Sequence, residues 1–116
     1  NYIVALYVDE AGIVWCGTWG GGLARFDGEN WQYFTVADGL PANHVFMLES
    51  AGDGAIWVGT SNGMARFDGE KFVVLTTKDG LYANNVFSLA QSDDGSLWVG
   101  SYGGVARLVG LDEQFK

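Results

Sequence analysis

The sequence predicts an all-β fold made of repeated antiparallel sheets, and three observations lead to this prediction. First, a motif centred on tryptophan recurs, because Trp15, Trp57 and Trp98 follow one another at intervals of 42 and 41 residues. Second, short apolar runs alternate with Asp-Gly and Asn-Gly pairs, which is the turn chemistry of β-hairpins. Third, no segment has a helical period, and the chain contains 18 Gly but only 1 Pro among 116 residues. Many short strands joined by tight turns explain all three.

The repeat also predicts how the strands are organised. The copies cover residues 1–42, 43–83 and 84–116, and the third is truncated. The second copy contains four strand-like segments, over residues 45–50, 55–60, 64–67 and 72–76. Four strands in 40 to 45 residues match the blade of a β-propeller. Residues 3–6 and 45–48 are apolar on both faces, as expected of sheets packed between other sheets. A two-layer sandwich, whose outer faces would be polar, ranks second.

Composition excludes several classes of function. The 14 Asp and Glu outweigh the 6 Lys and Arg, for a net charge of −8, so binding to nucleic acid or to an anionic membrane surface is disfavoured. The chain has no uncharged apolar run of about 18 residues, so no membrane insertion is predicted. Cys16 is the single cysteine, which excludes an internal disulfide and a cysteine-clustered zinc site.

Three blades are too few to close a ring, because propellers typically have about 4–8. The first and last copies lack the polar substitutions of capping repeats, so both end faces are expected to be apolar. The sequence therefore predicts that the chain associates with itself. A homodimer would have six blades and a homotrimer nine, and the usual range favours six. The alternative is that the chain is a fragment of a longer propeller or a designed repeat.

The sequence of the repeat resembles the two-component regulator propeller repeat. The resemblance rests on Gly-Leu-Pro-x-Asn-x-Val at residues 39–45, Asp-x-x-Gly-x-Ile-Trp-Val-Gly-Thr around residues 53–60, and Gly-Gly-Leu-x-Arg-Phe-Asp-Gly at residues 21–28. It implies blades from the extracytoplasmic sensor region of bacterial hybrid histidine kinases, hence a periplasmic or extracellular location. It also implies recognition of a small ligand, often a glycan fragment. Those sensors carry many more blades than this chain.

Some residues recur at the same position in every copy and are interpreted as structural. They are three tryptophans and three arginines: Trp15, Trp57, Trp98, Arg25, Arg66 and Arg107. The tryptophans are expected to pack between blades. The arginines are expected to bond a nearby carboxylate or carbonyl, although a ring of cations that binds an anion is the alternative. The Asp-Gly turns lack the spaced oxygen ligands of a calcium loop, so neither a metal nor a cofactor is predicted.

Functional residues are sought where the copies differ within this constant frame. Such positions fall in the loop between the second and third strands and in the link to the next blade, which should lie at the same end of the sheets. They are Trp19, His44, Asn62, Tyr82 and Tyr102. Aromatic faces beside amide and hydroxyl groups suit a sugar, so a small carbohydrate is the predicted ligand. The alternative is that these side chains only cover the tops of the blades.

Catalytic chemistry is not predicted. His44 is the only histidine, and the chain has no Gly-x-Ser-x-Gly elbow and no phosphate-binding glycine loop before a helix. A lyase-type propeller would need a histidine beside a carboxylate, and His44 with Glu49 is the candidate pair. The leading hypothesis is a ligand-binding propeller module that assembles into a ring. The main alternative is an assembly unit without any ligand.

Overall fold

A computed structural model describes residues 2–110, whose strands form three separate antiparallel sheets. Sheet one consists of β1 (Ile3–Val8), β2 (Val14–Thr18), β3 (Leu23–Phe26) and β4 (Trp31–Phe34). Sheet two consists of β5 (Val45–Ser50), β6 (Ile56–Thr60), β7 (Gly63–Phe67) and β8 (Phe72–Leu75). Sheet three consists of β9 (Val86–Gln91), β10 (Leu97–Ser101) and β11 (Gly104–Leu108).

Each sheet is a meander in which strands that follow one another along the chain pair side by side. The predicted all-β fold is confirmed, and the strands of the second copy agree with their predicted bounds to within one residue. Sheets one and two are four-stranded, whereas the described part of sheet three has three strands. Residues 112–116, assigned to the truncated last segment, lie outside the described residues. Within residues 2–110, no helix has the length and apolar character needed to cross a membrane.

The sheets pack face to face, with β5 against β1 on one side and against β9 on the other. Two apolar cores result. The core between sheets one and two contains Trp15, Leu23, Phe34, Val45, Leu48, Ile56, Val58 and Phe67. The core between sheets two and three contains Met47, Trp57, Met64, Leu75, Val86, Leu97, Val99 and Leu108. Each fully buried side chain of this size contributes about 1.5–3 kcal/mol of transfer free energy, so these two contacts hold the array together.

Every sheet has two distinct faces, which we call leading and trailing. The leading face turns toward the preceding sheet, and the trailing face turns toward the following one. Cross-strand pairing defines the leading face of sheet one by Ile3, Leu6, Val8, Val14, Cys16, Ala24 and Phe26. Pairing likewise defines the trailing face of sheet three by Ser88, Ala90, Trp98, Gly100, Val105 and Arg107. Among the described residues, no further sheet covers either of these two faces.

The links between sheets are short and well anchored. Val36–Asp38 and Thr77–Asp79 each form one turn of 3₁₀ helix, closed by a capping box in which the preceding threonine bonds with the aspartate. The glycine that follows each turn is left-handed, with φ of 107° at Gly39 and 112° at Gly80. Because both links use the same caps, they deliver the chain into the next sheet in the same way.

Candidate binding site at the loop end

One end of the sheets carries both the loops between second and third strands and the links between sheets. The backbone N–H groups of Gly20 and Gly22 donate to the carbonyl of Asn43 at 3.1 and 2.9 Å. In sheet three, the Ser101 hydroxyl donates to the carbonyl of Ala83 at 3.2 Å. These bonds join each loop to a neighbouring link. We call this edge of the molecule the loop end.

Trp19 and His44 are in direct contact at the loop end. Their backbones form an isolated β-bridge, their ring centroids are 4.4 Å apart, and the ring planes meet at 30°. Trp19 remains 48% exposed, so one side of its indole faces solvent. The His44 Nδ1 atom is buried and has no hydrogen-bond partner among the described residues. The pair therefore combines an accessible aromatic surface with an unused polar atom.

Two phenylalanines that the sequence analysis did not single out continue this aromatic surface. Phe46 lies 5.6 Å from Trp19 and 4.8 Å from Phe87, measured between ring centroids. Both phenylalanines occupy β-bulges, where the strand register shifts on β5 and β9. A bulge re-aims a side chain, and bulges are common beside binding sites. We call Trp19, His44, Phe46 and Phe87 the aromatic row.

A signal for the two phenylalanines was present in the sequence. In sheet one the residue that corresponds to Phe46 and Phe87 is Val4, which also lies at a bulge, on β1. This position therefore varies between copies, as the loop positions do. Because all three residues are apolar and lie within strands, the pattern alone indicated packing between blades rather than an accessible surface.

The remaining three predicted site residues belong to the loops of sheets two and three. Tyr82 is 60% exposed, and its ring covers the turn at Gly104, where an added β-carbon would lie 2.7 Å from the ring. Tyr102 precedes that turn and is 77% exposed. Asn62 is exposed in the loop of sheet two, where its backbone N–H donates to the Thr60 hydroxyl at 3.1 Å. The structure thus joins Trp19 with His44, whereas Tyr82 and Tyr102 flank the loop of sheet three.

The recurring arginines have partners within their own sheets. Arg66 forms an ion pair with Asp53, and Arg107 forms one with Asp94 at 2.8 Å. Arg25 instead donates to Gln32, because the residue of sheet one that corresponds to these aspartates is Ala11. The Arg25 guanidinium also lies 5.4 Å from the centroid of the Trp15 ring. These contacts agree with a structural role for the arginines.

The recurring tryptophans have different surroundings at the end of the array. Trp15 and Trp57 are each 5% exposed and belong to the two inter-sheet cores. Trp98, which the sequence analysis expected to pack between blades, is 41% exposed. The reason is its position on the trailing face of sheet three, beyond which the described residues form no sheet.

A concavity lies at the end opposite the loop end, between the first hairpin turns of sheets one and two. Its volume is about 290 Å³, and its lining includes Asp9, Glu10 and Ser50. The Asp9 carboxylate is already engaged, since it accepts bonds from the Ala11 and Ile13 amides and from the Trp15 indole. Burial raises the pKa of Asp9, but these hydrogen bonds outweigh burial and leave it lowered. The Asp9 carboxylate therefore stabilises the hairpin turn between β1 and β2.

The residues considered for catalysis or metal binding lie apart in the described part of the chain. Within residues 2–110, no three His, Cys, Asp or Glu side chains are grouped so that they could hold a metal ion. His44 precedes β5 and pairs with Trp19, whereas Glu49 lies near the far end of β5 opposite Trp57. Five residues of extended strand span about 16 Å, too far for a histidine–carboxylate pair. Cys16 is buried, and burial raises the pKa of its thiol.

Three solved structures with the same fold are two extracellular domains and one bacterial surface component. The chain is 20% identical to the extracellular domain of a protein described as a hybrid two component system from B. thetaiotaomicron, with a TM-score of 0.84 over 97% of this chain and 16% of that one. It is 24% identical to the extracellular domain of a protein described as a one component system from the same organism, with a TM-score of 0.79 over 97% of this chain and 17% of that one.

A further structural neighbour is PorZ, a surface component of the type-IX secretion system of Porphyromonas gingivalis. It is 22% identical, with a TM-score of 0.70 over 91% of this chain and 17% of PorZ. The chain thus spans about a sixth of the length of these neighbours, and at these identities the likeness shows a common fold. No curated protein sequence matches the chain.

The family is established by sequence. The two component regulator propeller family matches residues 1–20, 39–62 and 83–103, which together make up more than half of the chain. These three segments contain the first two strands of each sheet and the loop that follows them. The three stacked antiparallel meanders are the blades that such a repeat requires. The chain belongs to the two component regulator propeller family.

Proposed function

We propose that this chain is a non-catalytic sensor module, in which three blades of a self-associated propeller ring bind a small polar ligand such as a glycan fragment. The observation that carries the ligand proposal is the aromatic row, above all the contact between half-exposed Trp19 and His44. The proposal places the module outside the cytoplasm, because two structural neighbours are extracellular domains.

The chemistry of the aromatic row suits a sugar ring. Trp19 and Phe87 are 48% and 45% exposed, so each offers part of a flat apolar face to a ligand. A sugar has apolar C–H faces that pack on such rings, and hydroxyl groups that can bond to polar groups beside them. The net charge of −8 opposes a polyanionic ligand. We therefore expect a neutral glycan fragment rather than an acidic one.

The test is binding of neutral oligosaccharides from a printed glycan panel, with any hit measured by calorimetry. Trp19→Ala should weaken binding of that oligosaccharide about tenfold, because one stacked aromatic face is lost. The thermal midpoint should change little, since Trp19 is half exposed. Trp31→Ala is the matched control, because Trp31 is 50% exposed but begins β4 at the opposite end. Equal losses in both variants, or an unaffected Trp19→Ala, would contradict the proposal.

The second candidate function is assembly without any ligand. It is supported by the apolar side chains exposed on the leading face of sheet one and the trailing face of sheet three, which a partner would cover whether or not a sugar binds. Leu6 and Val105 are 66% and 63% exposed on these faces. A glycan panel without any hit, combined with a stable oligomer in solution, would favour this candidate over the sensor module.

A further inference from the structure

We infer that the ring closes head to tail: the leading face of sheet one in a second copy docks on the trailing face of sheet three, with Ile3 seated beside Gly100. The inference rests on the self-associated ring of the proposed function and names the residues that would close it. It concerns an interaction surface distinct from the loop end. The evidence comes from the two inter-sheet contacts that the chain already contains.

The first of these contacts has an interlocking pair at its centre. An added β-carbon on Gly17, on the trailing face of sheet one, would lie 2.6 Å from Val45 Cγ1 and 3.2 Å from Val45 Cβ. Val45 is on the leading face of sheet two and is completely buried. The missing side chain at Gly17 is therefore what lets Val45 approach. A valine of one sheet fills the space above a glycine of the sheet before it.

The second contact brings the same two positions together, although the atoms that meet are different. An added β-carbon on Gly59, on the trailing face of sheet two, would lie 2.8 Å from the backbone carbonyl oxygen of Val86, and 2.5 and 2.6 Å from Cγ and Sδ of Met47 in its own sheet. Val86 begins β9 on the leading face of sheet three and is completely buried. Gly17, Gly59 and Gly100 hold corresponding positions in the three sheets, since each pairs with the first or second residue of the next strand. The glycine is thus a recurrent part of the contact.

On the trailing face of sheet three the glycine is present, and residues 2–110 supply no strand opposite it. Around Gly100, the atoms nearest to an added β-carbon all belong to Ser88 of the same sheet. Gly100 lines a shallow cavity of about 230 Å³, whose walls also include Ser88, Ala90, Trp98 and Val105. At the first contact the corresponding space above Gly17 is filled by the Val45 side chain.

The counterpart lies at the other end of the same chain. Ile3 corresponds to Val45 and Val86, because each begins the first strand of its sheet and pairs with the last residue of the second strand. Ile3 is 56% exposed, and Leu6 and Val8 beside it are 66% and 60% exposed. The counterparts of Ile3 and Leu6 in sheet two, Val45 and Leu48, are 0% and 7% exposed, whereas Ser50, the counterpart of Val8, is exposed. The chain therefore carries a knob at one end and its hole at the other.

A head-to-tail contact between unlike faces closes into a ring when the rotation per copy divides a full turn. Two copies would give six blades, within the typical range of about 4–8. Charge does not oppose the contact locally. The strand residues of the leading face are uncharged, and Arg107, the charged residue among those that define the trailing face, is already paired with Asp94. A second copy is thus the occupant that fits both faces.

Disulfide trapping tests this arrangement in the full chain. In a Cys16→Val background, where Val matches the residues at the equivalent positions Val58 and Val99, Ile3→Cys and Gly100→Cys are combined. The design follows the contact between Gly17 and Val45 within the chain. There, a β-carbon added to Gly17 would lie 3.2 Å from Val45 Cβ, near the ~3.8 Å between the β-carbons of a disulfide. Mild oxidation should therefore give a covalent dimer in most of the protein on a non-reducing gel.

Two matched variants serve as controls for the trapping. Gly17→Cys with Val45→Cys should cross-link within one chain and leave the mass unchanged. Ile3→Cys with Glu29→Cys, which moves the second thiol to an exposed turn off both faces, should give far less dimer. A dimer no more abundant than in this control overturns the inference. So does a dimer formed as readily by Ile3→Cys alone, since this would mean that two leading faces meet.

A second variant guards against misfolding of the cysteine variants. Leu6→Asp places a charge on the leading face at a residue that is 66% exposed in the single chain, so the blade itself should stay folded. It should shift the solution mass from dimer to monomer, whereas Val36→Asp, 52% exposed on a link, should not. A dimer that survives Leu6→Asp contradicts the head-to-tail contact. Oligosaccharide binding is measured separately, so a failed ring and a failed sensor function are distinguishable.

Discussion

The same residue positions are buried in the middle of the molecule and exposed at its ends. Phe67, on the leading face of sheet two, is 1% exposed, and its ring lies between Trp15, Phe34 and Phe72. Phe26 holds the corresponding position on sheet one and is only half buried, although it stacks on Trp31 at 4.8 Å. The two residues have the same side chain and the same strand register. Their cross-strand partners are both aromatic, Trp31 and Phe72, but only Phe67 has a further sheet packed over it.

This difference teaches that burial in a repeat protein is a property of the neighbours rather than of the repeat. Each blade contacts only the blades beside it, so its stability is its own plus that of the adjoining contacts. A tryptophan that is 5% exposed at position 57 is 41% exposed at position 98. The end faces keep the apolar composition of inner faces, which is why we assign them a partner.

The largest effect is expected from removing a ring at the covered contact. Phe67→Ala should lower the free energy of unfolding by about 3–5 kcal/mol, because it leaves a cavity among three aromatic rings. Phe26→Ala should cost less than half as much when measured at a protein concentration too low for association. Urea unfolding followed by fluorescence gives both values. Equal losses would mean that the end face is already as well covered as the middle one.

A smaller effect is expected from the hairpin turn of sheet three. The Asp94 carboxylate accepts hydrogen bonds from the Ser92 hydroxyl, the Ser96 amide and the Arg107 guanidinium. Together these bonds hold the pKa of Asp94 below its usual value. A carboxyl group whose pKa is lowered by folding stabilises the folded state at pH values above its unfolded pKa of about 3.9. This stabilisation is lost as the pH falls below that value. Asp94→Asn should therefore flatten the loss of thermal stability on acidification below about pH 4.5.

The matched control for this turn is Asp93→Asn, which removes the same charge from the neighbouring exposed residue. It should keep the acid dependence of the unmodified protein, measured as the thermal midpoint across the same pH range. If Asp93→Asn and Asp94→Asn behave alike, the acid sensitivity belongs to the net charge of the chain rather than to the bonds of Asp94.

Much of the fold follows from local sequence. The Trp-centred motif, the Asp-Gly and Asn-Gly turns and the apolar runs mark strands such as β5 and β6 nearly to the residue, because hairpin chemistry is local. The partners of the recurring arginines are harder to predict from the sequence. Asp53 and Asp94 lie thirteen residues before Arg66 and Arg107, and the pairing depends on how two hairpins are aligned.

The candidate site was predictable in part. Trp19 and His44 were found because loop residues that vary within a fixed frame are natural candidates, and the link brings them into contact. Phe46 and Phe87 were missed, because a bulge that turns an apolar strand residue toward the loop end leaves no mark in the hydrophobic pattern. The exposure of Trp98 was missed because a repeat pattern does not say which copy lacks a neighbour.

The mass of the unmodified chain in solution tests the central claim most directly. Light scattering behind a sizing column, at tens of micromolar protein, should give twice the 12.5 kDa of one chain, with dissociation on dilution. A monomer of 12.5 kDa that persists at that concentration and melts cooperatively would contradict the account. The exposed apolar faces would then be stable in water without a partner.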